Sequence, residues 1–488
     1  MIAIKNKYII FLSLFFSLFI MSCKDKWEEH DTIQDPKLAI NLLTLIKQNP
    51  DLTQFATYLN KTGYDKVIAS SKTFTIWAPT NLAMTSMDQS VLNDSVKLRQ
   101  FIANHISDQS YLTNMAKPSL TIRTLNGKNI IFTKTKFEEA TIIKADTYFG
   151  NGVLHTVDKA IVPKPNVWEY LNSTPVSIQQ TYLQSLNYQK VDSTLATVIS
   201  IDPKTGKPIY KPGTGIVNKN YFFQKATDLS NEDIKYTYVI LTDAAFTTEK
   251  TKLSKYYAIV NNNATPARNA FVSDSLINWA IVKDLVFNGD YSSNLPDSIM
   301  SNDSVRVHLD PNAIVETHKV SNGVVYVMNR IDYKMSGKIK PVIIQGINIA
   351  GSYGSQGTHS TLTRRNPFTG LIYSELYYSA TGISSYWIKY QPTLTSTTYH
   401  VYWNAVRDFN TTGTIVYFSQ RVGFGTTALL PAFPYKQVDL LNYNDVYLGD
   451  YTVTSAGKLD TFLVGAANTT SGQNSIVLNY LKLVPVTN

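Results

Sequence analysis

The stretch Thr73-Phe-Thr-Ile-Trp-Ala-Pro-Thr-Asn81-Leu-Ala-Met84 holds a strand, a stop and a helix start in succession. Phe74 to Trp77 are β-branched and aromatic, and Pro79 ends the extended run. Thr80-Asn81 then supplies a turn and an N-cap before Leu82, Met84 and Met87. Upstream, Leu38, Leu42, Leu45 and Ile46, then Leu52, Phe55 and Leu59, recur at three and four residues, which predicts two amphipathic helices. Downstream, Leu98, Phe101, Ile102 and His105-Ile106 predict another helix. Residues 119–125 and 129–133 read as strands joined by an Asn126-Gly127 hairpin turn. Helices followed by strands within 35–165 make this an α+β segment.

The chain has 488 residues, more than one ordinary domain holds. Its 44% hydrophobic and 12% aromatic content is enough to build cores. The net charge of +9 comes from Lys and Arg scattered without a basic stripe, so no nucleic-acid partner is expected. A single cysteine, Cys23, excludes an intramolecular disulfide, an iron–sulfur cluster and a thiolate zinc site.

Thr73 to Met84 resembles the first signature of fasciclin-like domains. Asn104-His105-Ile106 resembles their central helix element, and Asn151-Gly152-Val-Leu-His155-Thr-Val-Asp158 resembles their second signature. A divergent second copy is expected over 166–345. In it, Thr237-Tyr-Val-Ile-Leu-Thr242-Asp243 lacks the proline of the first signature, and Ser321-Asn322-Gly323-Val-Val-Tyr326 has Tyr326 where histidine would stand. An insertion near 202–220, rich in Pro, Gly and Lys, reads as an exposed loop.

Residues 1–22 carry Lys5 and Lys7, an apolar run from Tyr8 to Met21, and Ser22, and they read as a secretion signal; an N-terminal anchor helix is the rival reading. Ile20-Met21-Ser22-Cys23 resembles the lipobox of bacterial lipoproteins, which implies lipidation at Cys23 and a membrane anchor. The charged tether of residues 23–34 resembles the export signals of surface lipoproteins of Bacteroidetes-type bacteria. The expected location is therefore the outer membrane, exposed at the cell surface.

Beyond residue 345, alternating runs at 385–390, 399–403, 413–418, 460–464 and 475–483 predict an all-β sandwich over 346–488. Its last strands resemble those of galactose-binding-like jelly rolls, a fold shared by many carbohydrate-binding modules. The expected architecture is two α+β fasciclin-like domains followed by an all-β jelly-roll sandwich.

No nucleophile elbow, Walker loop or dinucleotide fingerprint is present, and the seven histidines contain no i, i+4 pair for zinc. No enzyme activity is expected. His105 and His155 are read as fold-stabilising hydrogen-bonders, with a ligand role as the rival. Trp387 and Trp403 lie on neighbouring strand-like runs, where alternate residues face opposite sides. An outward ring can stack on a sugar while Arg364, Arg365, Asn404, Arg407 and Asp408 bond its hydroxyls; an inward ring is simply core. Asp439, Asn442, Asn444 and Asp445 are candidate oxygen ligands for a structural Ca²⁺. The expected partner is a polysaccharide, in association with an outer-membrane transporter complex. The alternative is an adhesion or matrix-interaction protein with a structural sandwich.

Overall fold

A computed structural model of the chain describes residues 40–70, 72–353, 359–378, 386–407, 417–427, 433–468, 470 and 473–487. The signal segment, Cys23 and Asp408 lie outside the described residues. The chain forms two compact units. The first is the described part of Met1–Tyr170 with Ser230–Ile234 and Lys319–Asn322; the second is Leu171–Leu229, Lys235–His318 and the described part of Gly323–Asn488.

In the first unit, strand Phe74–Pro79 is buried on both faces, as a central parallel strand must be. It pairs in parallel with Gly152–Val157 and antiparallel with Ile106–Ser107. The sheet continues through Ala140–Phe149, Lys136–Phe137, Asn129–Thr133 and Ser119–Arg123. Phe74 and Ile76 pack on Phe55, Leu59, Phe101 and Ile102 of helices Thr53–Thr62 and Ser95–Asn104. Trp77 points the other way, onto Ile122, Phe132 and Phe137.

Side-chain clamps fix the ends of these elements. Thr80 Oγ1 accepts from Ala83 N at 3.1 Å, capping helix Asn81–Met84 as the sequence predicts. Asn81 Oδ1 accepts from Gln54 N at 3.0 Å. Asn151 Oδ1 accepts from Leu42 N at 2.9 Å, and its Nδ2 donates to Ile68 O at 2.7 Å. Gly152 has φ +143°, and a Cβ there would stand 1.8 Å from Phe74 O, so only glycine fits the approach of the two parallel strands.

The divergent copy repeats these devices with different residues. Tyr236–Leu241 pairs in parallel with Gly323–Met328 and antiparallel with Val286–Asn288. Gly323 has φ +141°, and a Cβ there would lie 1.8 Å from Tyr236 O. Thr242 Oγ1 accepts from Ala245 N at 3.3 Å, and Asp243 Oδ1 takes Ile178 N at 2.9 Å, the role of Asn81. Asn322 Oδ1 accepts from Val167 N at 2.9 Å. Leu241 stands where the first copy has Pro79. The extra N–H this brings would be a buried orphan, but it donates to Gln179 Oε1 at 3.0 Å.

The insertion near 202–220 is not the expected loop. Asn187–Val191 pairs with Ile216–Asn220, and Val198–Ile201 pairs with Pro208–Tyr210. Most of these residues are exposed. With most of both faces in solvent there is little hydrophobic alternation to read, and backbone pairing, helped by the Asn220–Asn187 side-chain bond at 2.7 Å, makes these strands.

The strand-rich C-terminal region begins earlier than residue 346, because Val342–Gln345 pairs with Tyr480–Pro485. That sheet continues through Thr398–Asn404 and Val446–Thr452. A five-stranded sheet runs Gly351–Ser352, Trp387–Tyr390, Thr461–Gly465, Ser419–Phe424 and Lys436–Gln437. Tyr399, Val401, Trp403, Leu481 and Leu483 share one core with Ile388, Tyr390, Val422 and Leu463. Most of the strand expected at 413–418 lies outside the described residues, and a strand runs over Ser419–Phe424. The run at 475–483 breaks at Asn479, whose N–H donates to Asn404 O at 2.8 Å. Ile476–Leu478 thus joins a third sheet with Ile372–Tyr378 and Ser360–Arg365. Within the second unit, Ser396 Oγ donates to Lys255 O at 2.9 Å and accepts from Ala258 N at 2.8 Å, which ties this region to the α/β part before it.

Candidate functional site

Of the residues expected to contact a glycan, Arg364 with Arg365, Trp387, and Trp403 with Asn404 lie on three different sheets, and Arg407 lies in none of them. Trp403 is 1% exposed and packs in the core. On Thr398–Asn404 the inward residues are Tyr399, Val401 and Trp403, so Tyr402 and His400 face outward instead. Trp387 has the opposite parity, since Ile388 and Tyr390 take the inward positions on its strand. Trp387 is half-buried, edge-on to Phe462 at 5.2 Å and to the exposed Tyr353 at 6.2 Å. Arg364 Nε donates to the buried Glu375 at 2.9 Å, and Arg365 Nε donates to Gly370 O at 3.3 Å in its own hairpin. Asn404 is an internal strut: its Nδ2 donates to Tyr443 O at 2.9 Å, and its Oδ1 accepts from Asn479 at 3.0 Å.

Arg407 is the unusual member of the set. It is 5% exposed, and no carboxylate among the described residues pairs with it. Its guanidinium carbon lies 5.5 Å from the centre of the Tyr417 ring and 5.8 Å from that of Phe418, and its Nη1 has no hydrogen-bond partner among the described residues. A buried cation is ordinarily matched by an anion or by hydrogen bonds to all its donors, and this one retains unused donor capacity. Arg407 O accepts from Leu441 N at 2.8 Å, and two residues further on Tyr443 meets Phe368 edge-on at 5.8 Å. Phe368 is 82% exposed, and Tyr417, Leu371, Ile372 and Leu441 are also exposed. The guanidinium thus lies beside the exposed Tyr417 ring, and Phe368 packs on Tyr443 of the segment whose Leu441 bonds the Arg407 backbone.

The open face of the four-stranded sheet carries a second polar and aromatic group that sequence reasoning passed over. Tyr402 packs on Tyr447 at 5.3 Å. Asp450 accepts from Tyr447 Oη at 2.6 Å and pairs with His400 Nδ1 at 2.5 Å, bonds that hold its carboxyl below the ordinary range. The signal was the same alternation that drew attention to Trp403: if the tryptophan faces in, the tyrosine beside it faces out. The proposed Ca²⁺ ligands do not form an open oxygen site. Asp445 is engaged by Tyr480 Oη at 2.7 Å and Lys482 Nζ at 2.9 Å, and Asn442 Oδ1 accepts from Asn444 N at 3.1 Å. No group of three or more His, Cys, Asp or Glu among the described residues could hold a metal ion. No helix among them is long and apolar enough to cross a membrane.

The family model of the fasciclin domain matches residues 50–163. Those residues form a fasciclin domain. No curated protein matches the chain in sequence. Among solved structures, the chain is similar to a FAS1 domain pair from the insect cell adhesion molecule fasciclin I, at 18% identity over 60% of this chain and 100% of that one, with a TM-score of 0.24. It is also similar to a family 35 carbohydrate-binding module from Clostridium thermocellum, at 15% identity over 30% of this chain and 99% of that one, TM-score 0.21. A third is the GH26-CBM35 β-(1,4)-mannanase of Podospora anserina, at 14% identity over 31% of this chain and 28% of that one, TM-score 0.20.

Within the fasciclin domain the two signature histidines are committed to the fold. His105 Nδ1 donates to Phe101 O at 3.0 Å and its Nε2 accepts from Ile161 N at 3.2 Å, which fixes the Nδ1–H tautomer. His155 has the opposite tautomer, with Nε2 donating to Tyr111 O at 2.9 Å and Nδ1 accepting from Asp146 N at 3.2 Å. Between them Phe137 and Trp77 stack at 4.7 Å, with His105 5.7 Å from Phe137 and His155 5.7 Å from Trp77. Burial pushes the His105 pKa down to about 4, and that of His155 in the same direction. In the divergent copy Tyr326 Oη donates to Tyr291 O at 3.0 Å, the bond His155 makes to Tyr111 O in the fasciclin domain. The second signature therefore keeps its hydrogen bond while losing its histidine.

Proposed function

We propose that the chain is a non-catalytic glycan-binding lipoprotein, held by Cys23 at the outer membrane, exposed at the cell surface, and accessory to polysaccharide uptake beside a transporter. The observation that carries the glycan reading is Arg407, a buried guanidinium whose Nη1 has no hydrogen-bond partner among the described residues, beside the exposed ring of Tyr417, with the exposed ring of Phe368 packed on Tyr443 nearby in the chain segment that bonds Arg407 O. Flat rings stack on the apolar face of a pyranose, and a guanidinium bonds its hydroxyls. The signal and tether of residues 1–34 support the anchored location.

Affinity electrophoresis of the full chain against a panel of soluble polysaccharides tests the reading. Retardation by at least one glycan is expected, and Phe368→Ala or Tyr417→Ala, both at exposed rings, should weaken it by about two- to tenfold each. No retardation by any member of a broad panel overturns the glycan function. Retardation unchanged in both variants overturns the site. Cys23→Ser should release the chain from the membrane fraction, and external protease should remove the chain from intact cells. The fasciclin domain favours one rival, adhesion to a protein partner, and cell attachment that survives competition by the bound glycan would support it.

A further inference from the structure

A second concavity lies far along the sequence from Arg407, in the α/β part of the second unit. It is a groove of about 570 Å³, within the roughly 300–1,000 Å³ range of ligand sites. Trp279, on helix Pro266–Val282, forms one wall, and Tyr221, opening helix Tyr221–Lys225, forms the other. The two rings meet at 5.6 Å and 57°, making an aromatic corner, and the fully buried Phe222 props Trp279 edge-on from behind at 5.9 Å. Tyr221 is 44% exposed and Trp279 half-buried, although both could pack fully in a core.

The rim is cationic. Lys225 and Lys283 line the groove with a single carboxylate, Asp303. Lys283 spends its charge on Asp303, while Lys225 Nζ lies 5.8 Å over the Tyr221 ring and pairs with no carboxylate among the described residues. Asn302, on the same edge, has a buried Oδ1 without a hydrogen-bond partner among the described residues. The fasciclin domain has a concavity at the corresponding place, but there Arg99 lies over the Tyr64 ring at 4.8 Å and donates to Thr62 O at 2.7 Å, so its polar group is already used.

We propose that the groove of the divergent copy is a separate carbohydrate site that takes an acidic glycan, with a sugar ring stacked in the Tyr221–Trp279 corner and a uronate carboxylate against Lys225. Stacking accounts for two aromatic rings that both keep solvent exposure at the groove, and the excess of ammonium over carboxylate selects an anionic sugar over a neutral one.

The test is calorimetric titration of the full chain, at low salt, with a galacturonate oligomer and with a neutral galactose oligomer of the same length. The acidic oligomer should bind saturably and at least tenfold more tightly than the neutral one. Trp279→Ala should weaken it about tenfold, and so should Tyr221→Ala and Lys225→Glu, which lie at exposed positions and leave the core intact. Phe368→Ala should leave this binding unchanged, which separates the groove from the Arg407 site whichever of the two fails. Equal affinity for both oligomers overturns the proposal. So does unchanged binding in Tyr221→Ala and Lys225→Glu, or displacement by polyglutamate as effective as by the galacturonate oligomer, which would reduce the site to charge alone.

Discussion

Acid should unfasten the fasciclin domain through His105 before it titrates most carboxylates. Above pH 6.5 this histidine is neutral in the folded and unfolded chain alike, so stability does not depend on it. Between pH 6.5 and about 4 the unfolded chain takes up a proton that the folded domain, with His105 fully buried, refuses. Each pH unit in that window favours unfolding by about 1.4 kcal/mol, so two and a half units remove about 3 kcal/mol. Below pH 4 both states carry the proton and the effect stops growing. His155 is shifted in the same direction and adds to the loss. Hydrogen exchange in the full chain, followed in peptides covering residues 98–106 and 152–163 along a urea series at several pH values, reports this domain separately. His105→Gln should start less stable, because the two bonds to Phe101 O and Ile161 N are disturbed, and should lose correspondingly less between pH 6.5 and 4. A wild-type profile flat from pH 7 to 4.5, or a slope unchanged by the substitution, would refute the reasoning.

Gly152→Ala and Gly323→Ala should each cost about 3 kcal/mol or more, since a Cβ at either position collides with the partner strand's carbonyl; a thermal melt shifted by less than a degree in either variant would contradict this. Tyr326→Phe should cost about 1 to 2 kcal/mol in urea unfolding by leaving Tyr291 O unpaired, whereas Tyr447→Phe, at an exposed position, should change stability little. Lys338 and Asp284 pair at 2.5 Å with side chains only 1% exposed, so Lys338→Met strands a buried carboxylate and should cost about 3 to 5 kcal/mol. Replacing Asp284 by Asn in the same chain should recover a large part of that loss, and a double variant as unstable as the sum of the two single ones would argue against the coupling.

Local chemistry was legible residue by residue. Thr80 caps its helix as its position before Asn81 predicts, Gly127 takes the positive φ the hairpin needs, and both parallel strands of each α/β copy lie where the paired signatures put them. The binding surfaces were read less well. Period-two alternation says that one face of a strand is inside without saying which, so Trp387 and Trp403 carried equal claims until the sheets set their parity. Arg407 was marked as a polar partner for a sugar, but its burial and its place beside the Tyr417 and Phe418 rings follow from tertiary packing.

By itself, the sequence determined the α+β start and strand-rich end of the chain, and the duplication, down to Asn151-Gly152 and Asn322-Gly323 as corresponding turns. These rest on interactions between residues a few positions apart, where spacing alone carries the information. Only the tertiary structure decided that Leu241 can replace Pro79 because Gln179 receives its N–H, that Tyr326 takes over the bond of His155, and that residues 187–220 pair into strands without a buried face. It alone brought Tyr221, Trp279 and Asp303 to one groove. Long-range hydrogen bonds and shared cavities depend on how the elements close upon one another, and no local pattern in the chain records that closure.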